Sequence, residues 1–178
     1  MRRSRTAVGL AIATLALLAG SALAAPDQRR AGSSEWREYT HPRLGFRIDY
    51  PADVFTPDPK VDVEEGLVLV SQDGAAKLLI AAFDNEERAS LDEYRNLVLN
   101  RSYPGAKVDY APVRGNWFVV SGEREGQTFY ERVYFSCGGR KITSWALLYP
   151  TTEKARYDRF VEAIAPTFRP STGAAAGC

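Results

Sequence analysis

One histidine, two cysteines and one methionine among 178 residues leave little material for the commonest chemistries. His41 is the sole imidazole, and Cys137 and Cys178 lie far apart, so no His/Cys set has the spacing of a metal site. A Ser-His-Asp triad would have to use His41, and no GxSxG elbow is present to hold a serine. The patterns GxxxxGK[ST] and GxGxxG are missing as well, which removes two familiar backbone cradles for phosphate. No metal and no cofactor are therefore expected, and His41, next to Pro42, reads as a loop residue without a chemical role.

Charge of one sign is also scarce. The formal net charge is +1 on the whole chain, but the first residues carry the signature of an export signal. MRRSR is a basic opening, AVGLAIATLALLAG an apolar run, and Ala22-Leu23-Ala24 a small-residue cleavage site. The run is too short to cross a bilayer comfortably, so a cleaved signal is favoured over a membrane anchor. Loss of Arg2, Arg3 and Arg5 with no acid takes the charge from +1 to −2. That balance argues against nucleic acid as a partner. No cysteine marks a lipoprotein site, so general export is expected, to the periplasm of a Gram-negative host, with no stable membrane insertion after cleavage.

What is present is a regular alternation of apolar segments. The expected division is a signal peptide over 1–24, a polar linker over 25–38, one domain over 39–169, and a flexible tail over 170–178. LGFRIDYP puts Phe46, Ile48 and Tyr50 on one strand face and Arg47 and Asp49 on the other. EGLVLVS and AKLLIAAF are short apolar strands around the turn QDGA. SLDEYRNLVLNRS reads as a helix with Ser90 as N-cap, Glu93 completing a capping box, and Leu91, Tyr94, Leu97 and Val98 in one stripe. KVDYAPV, WFVVSGE, TFYERVYFS and KITSWALLY read as a meander, the first an edge strand because of Pro112. A second helix, with Tyr157, Phe160, Val161 and Ile164 in its stripe, follows Pro150.

Counting from two-residue turns at Glu125-Gly126 and Gly138-Gly139 fixes the register of the meander. Trp117, Tyr134 and Thr143 align on one face, then Val119, Arg132 and Trp145, then Ser121, Tyr130 and Leu147. The other face carries Phe118, Val133 and Ser144, then Val120, Glu131 and Ala146, then Gly122, Phe129 and Leu148. Both faces are largely apolar, so both need cover. The fold class expected is α+β, an α/β/α sandwich in which an antiparallel meander sheet carries a helix layer on each face.

The layout, with Tyr39, Phe46, Ile48, Tyr50 and Pro51 at the start and a last helix ending at Phe168, resembles the PsbP-like sandwich superfamily. It is most similar to small exported members from Gram-negative bacteria, although YPADVF stands where YPxxW is often found. The resemblance spans residues 39 to 169 and implies the sandwich fold. It also implies action through partners, since photosystem II extrinsic subunits and small-GTPase-binding relatives work by binding.

The charges inside the most aromatic strand are the remaining candidates. Glu131 and Arg132 are adjacent in a strand, so they point to opposite faces and cannot pair with each other. Glu131, among Val120, Ala146, Phe129 and Val133, is a buried polar group that must find donors or take a raised pKa. Arg132 lies opposite Trp145 with Tyr130 and Tyr134 beside it and Trp117 on the same face, a setting for guanidinium stacking. Either the two charges orient the covering helices, or the Arg132 face is an open groove for a protein or small ligand. A non-catalytic binding domain, a small hydrolase using an acid in a sheet-face pocket, and an accessory envelope protein are the three functions open at this point. Cys137 and Cys178 can form a disulfide in an oxidising compartment, or remain free or pair between chains.

Overall fold

The computed structural model describes residues 35–61, 66–170 and 178. The expected signal peptide, residues 25–34 of the expected linker, and residues 171–177 of the tail lie outside them.

A two-stranded hairpin opens the fold. β1 (Trp36–Thr40) runs antiparallel to β2 (Arg47–Pro51), with Tyr39 opposite Ile48. The linker reading therefore gives way at Trp36: four of the five β1 side chains are exposed, so no apolar alternation marked the strand. The turn between them closes on His41, whose ring nitrogen Nδ1 accepts from the backbone N–H of Leu44 at 3.1 Å. His41 is buried, and its ring lies 5.1 Å from that of Phe46. The residue expected to be an idle loop histidine is a structural one.

The main sheet is antiparallel and has eight strands. β3 (Phe55–Pro57), β4 (Gly66–Ser71) and β5 (Lys77–Asp84) lie on one side of β10 (Lys141–Pro150). On the other side come β9 (Gln127–Ser136), β8 (Trp117–Arg124) and β6 (Lys107–Tyr110), with β7 (Val113–Arg114) also paired to β8. The stretch KVDYAPV is thus two short edge strands, interrupted by a bulge between Val108 and Tyr110 and by Pro112, which has no N–H for the ladder.

The meander register is the expected one, with Trp117 opposite Tyr134, Val119 opposite Arg132, and Arg132 opposite Trp145. Glu125 and Gly126 form the expected tight turn, both at positive φ. The β9–β10 link is longer than expected: Ser136 pairs with Lys141, so four residues, Cys137 to Arg140, make the turn. Both turns are centred on Gly138-Gly139, which is why the register survives the change of length.

A helix covers each face. α1 (Leu91–Arg101) starts at a complete capping box, in which Ser90 Oγ accepts from Glu93 N–H and the Glu93 carboxylate accepts from Ser90 N–H. It closes the face carrying Phe118, Val120, Phe129 and Val133. α2 (Lys154–Ile164), entered through a short 3-10 turn at Thr151–Glu153, closes the other face together with the β1–β2 hairpin. Tyr157, Tyr149, Phe55 and Trp145 are wholly buried or nearly so there. Burying the Phe55 ring removes enough apolar surface from water to stabilise the fold by about 1.5–3 kcal/mol. Cys178, at the end of the expected flexible tail, is bonded to Cys137 with Cα atoms 5.3 Å apart, the first of the alternatives left open for the two cysteines. Among the described residues no helix is long and apolar enough to cross a membrane.

Candidate binding face

α2 and the hairpin cover one sheet face unevenly. Trp145, on the central strand, is 0% exposed, its ring 5.1 Å from that of Tyr130. One and two strands further out, Trp117, Tyr130, Arg132 and Tyr134 are only half-buried. At the edge, Tyr110 is 50% exposed and pairs with Ser121, which sits beside Tyr130 in the register.

Arg132 turns outward across this slope. Its guanidinium lies 4.7 Å from the Trp117 ring centre and 4.9 Å from that of Tyr134. It stacks on these two rings rather than on Trp145, its neighbour in register, because Trp145 is already enclosed and lies beneath the core. By turning toward β8, the side chain keeps part of its head within reach of water. Among the described residues Arg132 makes no hydrogen bond or ion pair, and its Nε is buried without a partner. Arg114 lies opposite Trp117 in the ladder, so a second, exposed guanidinium belongs to the same face. Burial pushes the Tyr130 hydroxyl pKa up, while the Arg132 charge pulls it down.

Glu131, on the opposite face, has a partner that the sequence did not indicate. The Tyr103 hydroxyl donates to its carboxylate at 2.8 Å, and the Tyr103 ring stacks on Phe129 at 3.9 Å. Tyr103 follows the end of α1, so this contact fastens the exit of the helix to the sheet. An aromatic placed directly after a helix stop was the available signal. Burial raises the Glu131 pKa to about 7, the Tyr103 hydrogen bond acting in the opposite direction. Burial, with the Glu131 charge, also raises the Tyr103 pKa.

Among the described residues three grooves flank the sheet, besides a smaller one of about 180 Å³ at Asp53, Ser71, Asp73 and Arg156. One of about 560 Å³ lies along α1 and includes Asp84, Glu86, Glu87, Glu93, Tyr94 and Leu97. Asp84 there is engaged by Lys141 and Arg43. A second, of about 880 Å³, adjoins the Cys137–Cys178 bond. The third, of about 390 Å³, runs between α2 and the sheet edge and contains Asp109, Tyr130, Lys154, Asp158 and Glu162. In it, the Tyr149 hydroxyl donates to Asp158 at 2.6 Å, and Lys154 pairs with the same carboxylate at 3.0 Å. Glu131 lines none of the three. Among the described residues no three His, Cys, Asp or Glu side chains gather as a metal site.

Comparison with solved structures identifies the architecture. The chain is similar to cyanobacterial PsbP (CyanoP) from Synechocystis, with a TM-score of 0.56 and 13% identity over 80% of this chain and 96% of that one. It is also similar to a protein from Bacteroides thetaiotaomicron, with a TM-score of 0.47 and 16% identity, and spans 48% of that longer chain. No protein-family model matches the sequence, and no curated protein does. The fold is PsbP-like, as the sequence resemblance implied.

Proposed function

We propose that the chain is an exported periplasmic accessory domain that works by binding through the Arg132 face, and that it is not a catalyst. One observation carries the reading: a guanidinium packed over two aromatic rings with no acceptor among the described residues, on the less covered part of the sheet. A cation held in place and left unpaired is arranged for an incoming group, and aromatic side chains with arginine are the usual anchors of interfaces. The adjoining Tyr110, 50% exposed, extends the aromatic surface to the edge. Glu131, one acid that a hydrolase could use, is engaged by Tyr103 beneath α1.

Site-specific photo-cross-linking tests the proposal. A benzophenone amino acid at Tyr110 should give a discrete adduct in periplasm, diminished by Arg132→Lys. The same group at the exposed Asn100 of α1 should not. Equal adducts from both positions, or no effect of Arg132→Lys, would overturn the assignment of the face. Mass analysis of the exported chain should show a new terminus at Ala25, and an intact Met1 would overturn export.

A further inference from the structure

We infer that the partner presents an extended acidic segment, with one carboxylate seated on Arg132 and apolar side chains laid against Trp117 and Tyr110. This rests on the Arg132 face being the binding surface. The chemistry of the face narrows what can sit there. A guanidinium offers paired N–H donors in one plane, the geometry that matches both oxygens of a carboxylate. Packing over Trp117 and Tyr134 with Nε buried leaves the two terminal nitrogens as the donor side. Arg114, across the ladder from Trp117, adds a second positive charge at the same end.

The surroundings disfavour other anions and small acids. A phosphate is usually held by a nest of backbone N–H groups or a helix start, whereas this face is built of paired strands whose N–H groups already serve the ladder. A small ligand needs an enclosing pocket, and Arg132 lines none of the three grooves described. An extended segment needs only a surface, and the sheet ends here in an edge strand, Lys107–Tyr110, with every side chain exposed. Polarity also sets a direction. Asp109, Asp158 and Glu162 stand beyond Tyr130, at the far end of the strip. Lys154 pairs with Asp158 and Lys107 with Asp109, so the α2 end is close to neutral and the positive charge lies at the Trp117 end, where the acidic residue of the segment belongs.

The test uses a randomised peptide library displayed on phage, selected on the folded mature chain. Enriched peptides should carry Asp or Glu among apolar residues. Their affinity should fall about tenfold or more on Arg132→Lys, and equally when the acid of the peptide becomes its amide. Tyr110→Ser, at an exposed position that leaves the fold intact, should weaken binding several-fold, which keeps the test valid if Arg132→Lys melts early. Neutral peptides that bind at Trp117 and tolerate Arg132→Lys would overturn the acidic segment and leave the binding face standing. Peptides that map to the α1 side would overturn both. Free acetate or benzoate binding at Arg132 as tightly as the selected peptides would overturn the segment in favour of a small acid.

Discussion

Replacing Glu131 by Gln should make the protein more stable at alkaline pH and nearly unchanged at acid pH. The carboxyl has its pKa raised from 4.5 to about 7 by burial beneath α1. The native state therefore holds the proton more tightly than the unfolded chain does. The stability this gives is complete below about pH 4.5 and is lost as pH rises through about 7. At about 1.4 kcal/mol per pKa unit, the loss has a ceiling of about 3 kcal/mol. Gln keeps an acceptor for the Tyr103 hydroxyl and cannot ionise, so its stability should not follow this slope. Urea denaturation of both proteins at about pH 5 and about pH 8 should show the difference between them widening by about 2 kcal/mol in favour of Gln. His41 is common to both proteins and drops out of the comparison. Glu131→Ala should instead cost about 1–3 kcal/mol at about pH 5, because it leaves the Tyr103 hydroxyl unpaired, and that cost should shrink by about 2 kcal/mol at about pH 8, because Ala cannot ionise either. Parallel pH profiles for the unaltered protein and the Glu131→Gln variant would refute the buried, proton-binding carboxyl.

Three further outcomes follow from the packing. Ser90→Ala removes the acceptor for Glu93 N–H and should destabilise by about 1 kcal/mol in thermal melting, with Ser90→Gly costing less. In Gly122→Ala the new Cβ would lie 2.2 Å from the Lys107 carbonyl oxygen, which is backbone and cannot yield without shifting β6. Amide exchange over Lys107–Tyr110 should accelerate, with a stability loss of about 1–3 kcal/mol. The oxidised protein should be two hydrogens lighter than the reduced one and offer no alkylatable thiol. Closing the Cys137–Cys178 loop, with a sequence separation of 41, limits the effect of reduction to about 4 kcal/mol.

The register of the meander was legible because turn centres, not turn lengths, fix which residues face each other. Glu125-Gly126 and the longer Cys137–Arg140 link share the centres that glycine marked. Once the register stood, the opposite placement of Glu131 and Arg132 followed from strand geometry alone. Side-chain direction did not. Arg132 has Trp145 opposite in the ladder, yet it stacks on Trp117, because the depth of α2 and the hairpin over Trp145 is a tertiary fact with no local signature. The Tyr103 contact with Glu131 joins positions 28 apart through the docking of α1, so the aromatic after the helix stop marks Tyr103 but not its partner. β1 and β3 escaped notice because one shows mostly exposed side chains and the other has three residues.

The central claim is that the partly open aromatic face around Arg132 is the surface the protein binds with. Chemical-shift mapping on the mature chain, with a selected acidic peptide as the probe, tests it most directly. The account predicts that the Arg132 Nε and Trp117 indole N–H signals move together with the Tyr110 amide, while Tyr94, Leu97 and Arg101 along α1 stay still. Movement confined to the α1 groove, with Arg132 and Trp117 unchanged, would contradict it.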